Sequence, residues 1–184
     1  MVSASWGKTH HSALVIIPPE SVWPTIQTLR QKYDRQFHRW MPHINVLYPF
    51  IAEERFAEAA ELAGQVLRRV PRFILRFERF RWFIHGSGTA TVWLEPAPGE
   101  AVRGLHSVLL EIFPQCDDLT RFPQGYTPHL SIGQTSAVGV EQFAARLQTH
   151  WQPLEFWVNE VAFIARTQDT PFQVKCTVPL SSRP

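Results

Sequence analysis

Two short segments carry residue types and a spacing that could do chemistry. Pro42-His43-Ile44-Asn45 and Pro128-His129-Leu130-Ser131 each place a histidine directly after a proline, at the start of a predicted strand, 86 residues apart. Side chains alternate faces along a strand. His43 and Asn45 therefore project together, as do His129 and Ser131, while Ile44, Val46, Leu130 and Ile132 point the other way, toward helices. Two imidazoles confronting one another suit phosphodiester chemistry without a metal. One takes a proton from water or a ribose hydroxyl, and the other gives a proton to the leaving oxygen. An imidazole titrates near neutrality, so both forms are accessible. The Asn45 amide and the Ser131 hydroxyl can each donate a hydrogen bond to a non-bridging phosphate oxygen. Either ring could be the acid or the base. A lone strand histidine is more often structural; a pair in matched contexts argues for a site.

The elements that must hold these segments follow from periodicity. Ser12 to Ile17 reads as a buried strand stopped by Pro18-Pro19. Val22, Ile26, Leu29 and Tyr33 trace a helix face. Residues 42–50 read as one strand, and Phe56, Ala59, Ala63, Leu67 and Val70 as a second helix. Arg72 to Phe83 is β-like with a change of parity, which one bulge near Glu78-Arg79 would reconcile. The turn Gly86-Ser87-Gly88 leads to a hairpin partner, Thr89 to Leu94. Val102, Leu105, Leu109 and Ile112 make a third helix, 127–135 a strand, and Val140, Phe143, Leu147 and Trp151 a fourth helix face. Leu154 to Arg166 and Phe172 to Leu180 read as a final strand pair. Residues 1–11 and 181–184 read as loose ends.

Both halves thus run helix, Pro-His strand, helix, strand pair. This predicts one α+β domain over 1–184, bilobal, with two pseudo-symmetric lobes of antiparallel strands facing a central groove and helices outside. In sequence order the lobes cover about 12–95 and 96–180, with strands free to exchange between them. Hydrophobic residues make up 45% and charged residues 18% of the 184 residues, which excludes a disordered chain. A formal net charge of +2 gives no general licence for polyanion binding. Cys116 and Cys176 supply neither a disulfide framework nor a four-thiolate metal site. No apolar run is long enough for a membrane span. The expectation is a soluble monomer in the cytoplasm, or in the nucleus if the source is eukaryotic, with no cofactor, no metal and no membrane partner.

At the two motifs the sequence resembles the 2H phosphoesterases, the RNA ligase/cyclic phosphodiesterase-like superfamily that includes the 2′,5′ RNA ligase family. Its signature is two His-x-Thr/Ser motifs, one per lobe. The resemblance runs from about Ser12 to Leu180, closest at PHLSIGQ (128–134) and in NEVAFIARTQDTPFQV (159–174). It implies His43 and His129 as catalytic residues and Asn45 and Ser131 as phosphate ligands. The implied enzyme is a metal-independent hydrolase of a 2′,3′-cyclic phosphate or a 2′-linked phosphodiester, in an RNA end or a small nucleotide, and in some relatives reversible as an RNA ligase. Asn45 departs from the family's Thr or Ser. The alternatives are an RNA- or phosphonucleotide-binding module without turnover, and an interaction scaffold.

Tyr126, Tyr48, Phe50, His85 and Arg166 are further candidates for stacking on a base or lining the groove; packing roles compete for each. Arg68, Arg69, Arg72, Arg76, Arg79 and Arg81, interleaved with aromatics, read as a solvated strand face before an RNA track.

Overall fold

The computed structural model describes residues 6–182. Strands β1 (Lys8–Thr9), β2 (Ser12–Ile16), β3 (Ile44–Leu47), β4 (Phe50–Ile51), β5 (Phe73–Ile84), β6 (Thr89–Ala97), β7 (Leu130–Ser136), β8 (Leu154–Val158), β9 (Glu160–Ala165) and β10 (Gln173–Pro179) alternate with helices α1 (Trp23–Tyr33), α2 (Phe56–Leu67), α3 (Gly99–Ile112) and α4 (Val140–Thr149). Eight strands form one antiparallel sheet in the order β10-β9-β2-β3-β7-β6-β5-β8, and β1 pairs with β4 beside it. The fold is α+β, as expected.

The sheet is two quartets joined at its middle. One registered pair, Ile44 opposite Leu130, links β3 to β7. Chain order does not follow the quartets: β9 and β10 stand beside β2, while β8 stands beside β5. The stretch expected as one strand from Leu154 to Arg166 is therefore two. Phe156 and Val158 face the core in β8, Val161, Phe163 and Ala165 in β9, so the inward parity changes across Asn159. Every residue from Val161 to Ala165 is buried because both faces of β9 are covered. The strand expected over 42–50 is likewise broken, between Leu47 and Phe50.

The expected bulge at Glu78-Arg79 is present between Phe77 and Phe80. A side chain plugs it: Gln148 accepts from the Phe80 N–H (3.0 Å) and donates to the Glu78 carbonyl (2.8 Å). Helix α4 is thereby pinned to β5. Helix α1 packs on β7, α2 on β10 and α3 on β3. Close approach of α1 to β7 requires Gly133, because a Cβ there would lie 2.5 Å from the Tyr33 Cβ and 2.6 Å from its carbonyl oxygen.

The chain ends are more ordered than composition suggested. Lys8 pairs with Asp117 and Asp118, and Trp6 packs against the core. The Ser181 N–H donates to the Val70 carbonyl (2.8 Å). Residues 1–5 and 183–184 of the expected loose ends lie outside the described residues. Among the described residues, no helix is long and apolar enough to cross a membrane.

Candidate active site

The Ile44–Leu130 pair fixes the geometry of both motifs. In that antiparallel register His43 stands across from Ser131 and Asn45 across from His129. Ile44 and Leu130 are fully buried, so the four polar side chains share the opposite, groove-facing side. The two imidazoles take diagonal positions, which in a regular ladder lie about 7–8 Å apart. Each strand then bulges just past its motif. The β2–β3 register shifts by one residue between Asn45 and Leu47, and the β6–β7 register between Ser131 and Gly133. Bulges of this kind re-aim side chains beside sites. Here they leave Val46, Leu47 and Ile132 buried beneath the polar face.

Both rings are held identically. The His43 Nδ1 lies 2.8 Å from the Met41 carbonyl, and the His129 Nδ1 lies 2.8 Å from the Thr127 carbonyl. A carbonyl only accepts, so each Nδ1 carries a proton and each Nε2 is left free to exchange one. The intervening prolines explain the likeness: a residue before proline is biased to extended backbone. Each ring is also backed by aromatics. Trp40 stacks on His43 (4.5 Å, 15°) and on Phe172 (3.8 Å); Phe83 meets His129 edge-on (5.0 Å), with Trp93 at 5.8 Å.

This setting moves the titrations. Burial pushes the His43 imidazole down to about 4; the Met41 hydrogen bond opposes this, while Arg30 and His129 add to it. Burial also lowers His129, against the bond to Thr127. The mutual effect of the two rings places them within electrostatic reach of one another.

The other expected residues divide. Asn45, His129, Ser131, Tyr126 and His85 line one cavity of about 890 Å³. His85 shares a hydrogen bond with Thr91 (2.9 Å). Tyr126 is spoken for at its polar end: its hydroxyl donates to the Asn45 carbonyl (2.5 Å), and its ring lies on His106 (4.2 Å). Tyr48 and Arg166 sit apart, on the His43 side. Tyr48 touches Trp40, and burial raises its phenol while Arg166 and Arg39 pull it down. Arg166 lies over Phe172 and donates to the Gln168 carbonyl. Phe50 is not a groove residue. It has no exposed surface and packs against Phe113 and Phe163, because the chain turns inward at β4. Of the arginine stretch, Arg76 pairs with Glu155 and Glu78, Arg81 with Glu95, and Arg72 lies over Trp157.

Sequence reasoning missed the supports. His106, buried on α3, has its Nδ1 2.7 Å from the Val46 carbonyl. With Tyr126 it holds two successive carbonyls of the β3 bulge. Arg30, 2% exposed, donates to Asp34 (2.7 Å) and to the Trp40 carbonyl (2.9 Å). Asp34 accepts from Gln134 (3.2 Å), whose own oxygen accepts from the Arg35 N–H (2.9 Å). The second motif's strand is thus wired through α1 to the loop carrying the first. Spacing of Arg30 and Asp34 by four on a predicted helix was the available signal. Among the described residues, no group of three or more His, Cys, Asp or Glu is placed to hold a metal ion.

Fold and site together define a two-lobed molecule with one strand-borne imidazole from each half. Comparison with known proteins makes the class specific. The model of the 2′-5′ RNA ligase superfamily matches residues 18–170, and the chain belongs to that superfamily. A curated relative from Geobacillus kaustophilus (strain HTA426), named "Putative phosphoesterase GK0864", is 25% identical over 123 residues, 66% of this chain and 67% of that protein. Among solved structures, Escherichia coli LigT complexed with 3′-AMP superposes with a TM-score of 0.64 at 15% identity, covering 95% of this chain and 99% of LigT. The TT0787 protein of Thermus thermophilus gives 0.61 at 17% identity, covering 94% and 98%. These structures show the shared fold; the family and the curated relative support phosphoesterase chemistry.

Proposed function

We propose that the protein opens a 2′,3′-cyclic phosphate or cleaves a 2′-linked phosphodiester in an RNA end or small nucleotide, using His43 and His129 as the acid–base pair. The observation that supports this most is the meeting of both motifs across the single Ile44–Leu130 pair, with each Nδ1 tied to a carbonyl and each Nε2 free. The Ser131 hydroxyl and Asn45 amide are the proposed ligands of the non-bridging oxygens. Each proton transfer is worth about 10²–10⁴ in rate. The binding of 3′-AMP by LigT is in keeping with a nucleotide-sized ligand. The reaction as written needs no metal and no cofactor, is chemically reversible toward ligation, and suits a cytoplasmic monomer.

One observation favours a second reading, a binding module without turnover. Asn45 replaces the family's hydroxyl, and its Oδ1 is buried with no partner. Incubation with 2′,3′-cyclic mononucleotides in excess chelator separates the two. Ring-opened product supports the enzyme; saturable binding without product supports the module.

A further inference from the structure

The groove is not equally open on its two sides. Beside His43 it is filled. Ala13, Val15, Ala162 and Ile164 on β2 and β9 are buried under Phe172, with Trp40, Met41 and Tyr48 packed on the same cluster. Beside His129 there is no such layer. There the 890 Å³ cavity opens, reaching Asn45, Ser131 and His129 but not bordered by His43. Its volume is within the range for a nucleotide-sized ligand. Phe83 lines it, and Ile84 (66% exposed) and Phe122 (57% exposed) present large apolar side chains from opposite walls, the β5 end and the loop before Tyr126. Aromatic and apolar surfaces of this kind accept a nucleobase face.

In a displacement at phosphorus the entering and leaving oxygens stand on opposite sides. The ribose of a cyclic nucleotide comes with the leaving oxygen, whereas entering water needs little room. We infer that the nucleoside occupies the cavity beside His129, so that His129 protonates the leaving ribose oxygen and His43 activates the water. The assignment rests on the phosphoesterase reading above.

The step balances as follows. Water oxygen bonds to phosphorus while its proton passes to His43 Nε2. The phosphorus–ribose oxygen bond breaks, its electron pair stays on that oxygen, and His129 Nε2 supplies the proton. The product is a phosphomonoester; His43 ends protonated, His129 neutral, and exchange with solvent resets both. The depressed titration of His43 agrees with a ring kept neutral for use as a base, and the substrate's negative charge favours the protonated form of His129.

The test compares uridine 2′,3′-cyclic phosphate with its 2′-S and 3′-S bridging phosphorothiolates, using the isomer that the wild-type protein opens at sulfur. A thiolate leaves without a proton. His129→Ala should therefore recover at least about 100-fold on the sulfur substrate relative to oxygen, while His43→Ala recovers nothing. The opposite pattern, recovery of both, or recovery of neither overturns the assignment. If the wild-type protein opens no cyclic substrate, the phosphoesterase reading fails instead. Glutamine at either position repeats the test where alanine disturbs the circular dichroism spectrum. Phe122→Ala should raise KM for the cyclic nucleotide several-fold with kcat held; an unchanged KM places the nucleoside elsewhere and overturns the inference.

Discussion

His43 and His129 are two copies of one residue-scale device: a ring whose Nδ1 proton is committed to the carbonyl two residues back, leaving Nε2 for exchange. Both titrate below the ordinary imidazole value of about 6.5, His43 at about 4. An acid–base pair needs one ring neutral and one protonated. The profile of kcat/KM should therefore be bell-shaped with its maximum below pH 6.5; a maximum above pH 7.5 contradicts the burial described. The same shift bears on folding. The unfolded chain protonates His43 near 6.5 and the folded chain only near 4, so the unfolded state binds more protons between these values. Stability falls as pH is lowered through that window. A His43→Gln variant should show a shallower decline in urea midpoint from pH 6.5 to 4 than the wild-type protein.

At the scale of elements, the site depends on strands being closely approached by helices. Gly133 is the sharpest case. The nearest atoms to a Cβ there include Tyr33 backbone, which cannot swing away. Gly133→Ala should cost about 1–3 kcal/mol, read as a lowered urea midpoint at unchanged m-value; an unchanged midpoint would show that α1 gives way freely. Much of this level was legible in the sequence. The Pro-His strands, the four helix faces and the Glu78-Arg79 bulge all follow from periodicity. Two things were not. The break at Asn159 hides in a run that is apolar throughout, because burial on both faces of β9 erases the alternation that marks a strand's sides. Phe50 followed the Pro-His strand closely enough to suggest the groove, yet the separate strand β4 turns it into the core. Periodicity carries no information on which quartet a strand joins.

At the scale of the molecule, two halves of the chain meet at one registered strand pair, and a buried polar path reinforces the junction. Gln134 on β7, Asp34 after α1, Arg30 on α1 and the Trp40 carbonyl lie in sequence along it. Arg30→Ala leaves the Asp34 carboxylate buried and unpaired, and should cost about 3–5 kcal/mol. A loss of stability below about 1 kcal/mol would mean that water replaces the guanidinium. The candidate histidines were legible because their local contexts repeat; Arg30, Gln134 and His106 were not, since their partners lie on other elements and only the fold brings them together.

The central claim is that both rings serve one phosphorus as a unit. The most direct measurement is turnover of a 2′,3′-cyclic mononucleotide in chelator by the wild-type protein, His43→Ala, His129→Ala and the double variant. Groups that act together are not additive when removed. Each single variant should lose at least about 100-fold in kcat, and the double variant little more, with circular dichroism unchanged. A single variant that keeps near wild-type turnover would contradict the account.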